Sequence, residues 1–107
     1  MKVTYKKYIG EEKTEFLLLN FDYEDGNDYI AKIFCEKYGM VADEKKDFIY
    51  YSVLDLHTNN KTYELLWHED IGNSIYSIEQ DVGTINALEK ELKIVIDILN
   101  EKIAARH

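Results

Sequence analysis

Apolar and polar positions alternate with a period of two in several segments of the chain, which is the pattern of half-buried β-strands. The alternation predicts strands over 2–8, 14–23, 47–57, 62–68 and 74–80. Residues 10–13 and the asparagine pair at 59 and 60 predict tight turns, so two hairpins are expected, 2–23 and 47–68. The second hairpin would contain two cross-strand pairs, Leu56 with Tyr63 and Leu54 with Leu65.

Two other segments have apolar residues at helical spacing. The first predicts a short amphipathic helix that starts near the acidic residues at 25–28 and ends at Gly39, a natural left-handed stop. The second predicts a helix of about six turns from Val82 to the end of the chain. A further stripe on this helix, which includes Ile94 and Ile98, lies roughly opposite the main one and either packs on the first helix or contacts another protein.

The predicted elements follow the order ββαβββα, with 41–46 as a loop. This order lacks the strand–helix alternation of a parallel doubly wound sheet. We therefore expect a single acidic α+β domain over residues 1–107, built on a five-stranded, largely antiparallel sheet. The short and the long helix are expected to pack on one face of that sheet.

Positive charge is absent from two long windows of the sequence. No Lys or Arg occurs over 14–31 or 62–89, and these windows hold eleven of the 21 acidic residues, so they account for more than the whole net charge of −8. Such a field repels phosphate polymers and attracts basic proteins. Twelve of the thirteen basic residues are Lys, so the guanidinium forks that favour phosphates and guanines are scarce. We expect no nucleic-acid binding.

The composition also bears on location. No run of residues approaches the roughly 20 apolar positions of a membrane span, so no membrane association is expected. The single cysteine, Cys35, cannot form an internal disulfide. The expected location is therefore cytoplasmic.

Candidate catalytic and metal-binding motifs are weak. The acidic segment 22–28 does not match a calcium loop, because Gly26 in the glycine slot would put Phe21 at the first ligand position. His57, His68 and Cys35 lie on separate elements without matching register, and Cys35 sits among apolar neighbours as a small hydrophobe. We predict no catalytic residue, no metal and no cofactor, and consider an enzyme the less favoured class.

The charge pattern favours a small acidic module that binds a basic partner protein, such as an inhibitor or an immunity-type protein that neutralises a cationic toxin. The alternatives are a small-ligand-binding or enzymatic domain with a pocket between sheet and helices, and a homodimeric chaperone-like adaptor. Two loops at strand ends and the second helical stripe supply the candidate protein-binding residues: Asp22, Tyr23, Glu24, Asp25, Asp28, Glu69, Asp70, Ile94 and Ile98.

Overall fold

A computed structural model of the protein describes residues 1–105. It has seven strands and two helices: β1 Thr4–Ile9, β2 Thr14–Leu19, α1 Gly26–Tyr38, β3 Val41–Ala42, β4 Lys46–Asp47, β5 Tyr51–His57, β6 Thr62–His68, β7 Gly72–Ser77 and α2 Val82–Ala105. The α+β class and the antiparallel sheet are confirmed, since every strand pair is antiparallel. The predicted continuation of α2 to the end of the chain lies outside the described residues.

The predicted strand count and order of elements are wrong. The sheet runs β1-β2-β7-β6-β5-β3, with β4 also paired to β5, so the chain order is ββαβββββα. The two additional strands have only two residues each and lie along the outer edge of β5, β3 beside 56–57 and β4 beside 52–53. Strands this short have no readable periodicity. They form because β5 offers an unpaired backbone edge.

The β5–β6 hairpin has the predicted register. Leu56 pairs with Tyr63 and Leu54 with Leu65, and the turn closes through a hydrogen bond from the Thr58 amide to the Lys61 carbonyl. Period-two alternation and a short asparagine turn therefore suffice to set this register.

The second strand ends four residues earlier than predicted. Asn20 adopts a left-handed φ of 63°, which ends the ladder at Leu19. Asparagine tolerates this conformation better than most residues. The turn directs Phe21 into the core, where its ring lies so close to Gly26 that a Cβ there would come within 2.6 Å of it.

Helix α1 ends as predicted, with Gly39 in the left-handed conformation and its amide bonded to the Cys35 carbonyl. Asp25 occupies the N-cap position, but its side chain makes no capping hydrogen bond. The carboxylate of Asp25 is therefore exposed at the start of the helix.

Both helices pack on one face of the sheet. Buried residues alternate along the strands and join residues of α1 and α2 in one hydrophobic cluster, which includes Phe16, Leu54, Leu56, Tyr63, Leu65, Ile75, Ile30, Phe34, Leu88, Leu92 and Val95. Within residues 1–105, neither helix is long and apolar enough to cross a bilayer.

Two carboxylates of α2 accept hydrogen bonds from tyrosines of the sheet. Tyr63, fully buried, donates to Glu91 over 2.9 Å, and Tyr5 donates to Glu89 over 2.7 Å. Lys7 also contacts Glu89. The hydrogen bond from Tyr5 is the main cause that lowers the pKa of Glu89, while burial and Glu89 together raise the pKa of Tyr5 to about 12. The ionised form of Glu89 therefore helps to hold α2 against β1.

We expect Glu89→Gln to lower the free energy of unfolding by about 1 kcal/mol at pH 7, because it replaces a charged acceptor by a neutral one. Folding lowers the pKa of this carboxyl, so its ionised form stabilises the protein at pH values above the unfolded-state pKa. That contribution is lost as the pH falls through the folded-state pKa. The difference in the free energy of unfolding between wild type and Glu89→Gln should therefore decrease at pH values below 4.5, the ordinary glutamate pKa.

Urea unfolding from pH 7 to pH 3 measures this difference. Glu12→Gln, in an exposed turn, is the control and should change stability little at any pH. A Glu89→Gln deficit that stays constant down to pH 3 would contradict the assignment.

Candidate functional site: an acidic rim

Three loops meet at one end of the sheet. They are the β2–α1 loop, the β4–β5 turn and the β6–β7 turn. Each adjoins a strand end, and the pairing register places these strand ends side by side. We define the acidic rim as residues 20–25, 48–50 and 69–71. Tight antiparallel connections bring together segments that are up to 50 residues apart in sequence.

The amide of Asn73 holds the first of these loops. Asn73 is fully buried; it accepts a hydrogen bond from the Tyr23 amide over 2.9 Å and donates to the Tyr23 carbonyl over 3.1 Å. It also donates to the side chain of buried Asn27. One β7 side chain thus fixes the backbone of the acidic loop and the start of α1.

Asp22 and the β4–β5 turn connect to the same region. The Trp67 indole donates to the Asp22 carboxylate over 3.2 Å, so this carboxylate lies beside the end of β6. Trp67 lies on the core-facing side of β6, on the same face as Tyr63 and Leu65, but is only partly buried. The Glu69 amide donates to the Tyr50 carbonyl, which joins the second and third loops.

The rim is negatively charged. Its three loops contain five carboxylates and no Lys or Arg: Asp22, Glu24, Asp25, Glu69 and Asp70. All five residues are exposed, and none forms an ion pair within the described part of the chain. Their fields therefore add at this end of the molecule.

The rim also exposes a group of large apolar side chains. Five of them are between 51% and 87% exposed: Tyr23, Phe48, Ile49, Tyr50 and Ile71. Phe48 stacks on Tyr51 with ring centroids 4.5 Å apart and planes 18° from parallel. A rigid aromatic pair beside carboxylates is a surface suited to contact with another protein.

Six of the nine predicted site residues lie on the rim: Asp22, Tyr23, Glu24, Asp25, Glu69 and Asp70. Asp28 lies just beyond it, in the first turn of α1, and pairs with Lys45 over 3.0 Å. Ile98 packs against the core, and Ile94 is 39% exposed near the middle of α2. The second helical stripe is therefore divided between core and surface, and it does not join the acidic residues.

A groove runs beside the rim between the two helices. It has a volume of about 520 Å³, and its apolar lining includes Phe21, Tyr23, Tyr29, Ile33, Leu99 and Ile103. Tyr23 belongs to both the groove and the rim, so the apolar surface is continuous from one to the other.

Sequence reasoning missed the β4–β5 turn, because it assigned 47–57 to one strand. The amide of Phe48 bonds to the Tyr51 carbonyl, and this turn separates β4 from β5. The available signal was a run of four large apolar residues at 48–51, which breaks period-two alternation. No pattern in the sequence indicates the role of Asn73, since its hydrogen-bond partners lie about 50 residues away.

We expect Asn73→Ala to lower the free energy of unfolding by about 2 kcal/mol, because it leaves the partly buried backbone of Tyr23 and the buried side-chain oxygen of Asn27 without their hydrogen bonds. Hydrogen exchange at the Tyr23 amide should accelerate more than the loss of global stability explains. Ser52→Ala is the matched control: Ser52 is also buried, but its hydroxyl makes no hydrogen bond within residues 1–105, so stability should hardly change. Unchanged exchange at Tyr23 in Asn73→Ala would contradict the role of Asn73.

Comparison of the chain with protein-family models finds no match. No curated protein and no solved structure matches it either.

Proposed function

We propose that this chain is a binding module whose acidic rim docks a basic partner protein. The observation that carries the proposal is the coincidence, in three adjoining loops, of five exposed large apolar side chains with five carboxylates that form no ion pair within residues 1–105. Protein interfaces combine apolar anchors, which supply most of the binding energy, with charges that select and orient the partner.

The sign of the rim determines the kind of partner. Carboxylates repel nucleic-acid phosphates and anionic membrane surfaces, whereas they attract Lys and Arg side chains. An inhibitor or immunity-type protein that covers a cationic site on its target would use such a surface. A cytoplasmic location, expected from the single cysteine, is part of this proposal.

The groove between the helices supports a second candidate function. Its volume of about 520 Å³ and its aromatic lining suit a small apolar ligand. The groove lies between α1, α2 and the β2–α1 loop, not between sheet and helices. Ligand binding there would be insensitive to charge changes at Glu69 and Asp70.

A pair of double substitutions tests the charge. Glu69→Lys with Asp70→Lys reverses two adjacent acids in an exposed strand connection on the rim; Glu11→Lys with Glu12→Lys does the same at the opposite end of the sheet. Both raise the net charge by four. With tagged chain as bait in a native lysate at low salt, the wild type and the Glu11/Glu12 variant should retain a basic protein that the Glu69/Asp70 variant loses.

The association rate of the captured protein should then fall steeply with added salt, because screening at physiological ionic strength acts over about 8 Å. The reversal of Glu69 and Asp70 should slow association at least tenfold more than the reversal of Glu11 and Glu12.

A second pair of variants tests the apolar contribution. Ile49→Ser on the rim and Ile9→Ser at the other end of the sheet remove isoleucine side chains of similar exposure, 87% and 79%. Ile49→Ser should raise the dissociation rate, and Ile9→Ser should not.

Three outcomes would overturn the proposal. They are capture of an acidic protein, an association rate indifferent to salt and to Glu69/Asp70 reversal, and a lysate in which no captured protein distinguishes wild type from the rim variant.

A further inference from the structure

A cluster of metal-ligating side chains lies at the end of β5 opposite the acidic rim. Asp43, Asp55 and His57 each offer one ligand atom, and these three atoms all lie within 4.8 Å of one another. Asp55 and His57 are two residues apart in β5 and so share a face of the sheet. The pairing of β3 with β5 brings Asp43 alongside, through a hydrogen bond from its amide to the Asp55 carbonyl.

The imidazole of His57 is held at both ring nitrogens. Its Nδ1 lies 3.0 Å from the hydroxyl of Thr62, the residue opposite it in β6, and its Nε2 lies 2.5 Å from the Asp43 carboxylate. Metal-binding histidines are held at one ring nitrogen by a neighbouring group while the other binds the ion, so an ion would enter between Nε2 and Asp43.

The Asp55 carboxylate forms no ion pair within residues 1–105. Its Oδ1 atom is buried and makes no hydrogen bond within residues 1–105. Glu64 is its direct cross-strand neighbour, and two carboxylates in this relation repel each other. A cation at Asp55 would offset this repulsion.

We propose that Asp43, Asp55 and His57 bind a divalent transition-metal ion, with zinc as the best fit. Zinc accepts imidazole nitrogen and carboxylate oxygen at about 2.0–2.2 Å, and three protein ligands leave a fourth position for water. Calcium and magnesium prefer oxygen ligands alone. A tetrahedral ion needs ligand atoms about 3.4 Å apart, so the exposed Asp43 carboxylate, now 2.5 Å from Nε2, has to rotate away from the ring to admit the ion.

Metal binding depends on which ring nitrogen of the His57 imidazole carries the proton. In the metal-bound state the Nε2 lone pair bonds to the ion, and the ring keeps its proton on Nδ1, which donates to the Thr62 hydroxyl. Thr62 is therefore a positioning residue, and Thr62→Val should weaken zinc binding by roughly 10-fold to 100-fold.

Calorimetric titration of zinc chloride into the full-length, chelator-treated chain tests the proposal. One ion should bind per chain. His57→Ala and Asp55→Asn should each lower the affinity at least tenfold. Controls remove the other soft or borderline ligands of the chain, His68→Ala, His107→Ala and Cys35→Ser, and these should keep the affinity of the wild type.

A measurement on the unaltered chain covers the case in which a variant does not fold. In NMR spectra of the imidazole nitrogens, added zinc should shift Nε2 of His57 and leave the His68 signals in place. No binding by the wild type at millimolar zinc, equal affinity in His57→Ala, or zinc-dependent shifts confined to other histidines would overturn the site. Tighter binding of calcium than of zinc would overturn the class of metal.

Discussion

The geometry of the acidic rim depends on the buried amide of Asn73. A loop with three carboxylates repels itself, so contacts with the sheet have to hold it in place. Phe21 packs in the core and the Trp67 indole bonds Asp22, while Asn73 satisfies both backbone groups of Tyr23 and the side-chain oxygen of Asn27. In the interior these bonds cost more to lose than they would in water. The start of β7 thus anchors the loop whose charge defines the surface.

The distribution of lysines explains why the rim stays negative. Lys7 and Lys61 pair with Glu89 and Glu91 of α2, and Lys45 pairs with Asp28. These lysines therefore neutralise two carboxylates between α2 and the sheet and one at the start of α1, and they do not pair with the carboxylates of the rim. An exposed site can hold several like charges because water screens them, whereas the same group in the core would have to neutralise.

The accuracy of the sequence-based predictions follows from how local each cause is. The β5–β6 register, the glycine stop of α1 and the start of α2 at Val82 depend on periodicity and on neighbouring residues, and these predictions are confirmed. The two-residue strands β3 and β4 depend on an available edge of β5, which no local pattern reveals. Likewise, Asp28 was grouped with the other acids of its loop, but Lys45, 17 residues later, pairs with it.

Strand β5 shows how one element serves two surfaces without compromising the core. Ser52, Leu54 and Leu56 face the helices, so the alternate positions are free of packing constraints. These alternate positions begin with Tyr51, which stacks on Phe48 of the rim. They end with Asp55 and His57, which lie beside Asp43. Four to six residues of extended chain separate Tyr51 from Asp55 and His57, by about 13 to 20 Å, which exceeds the screening length at physiological salt. The two surfaces can therefore bind different ligands, and a substitution at one should leave the other unchanged.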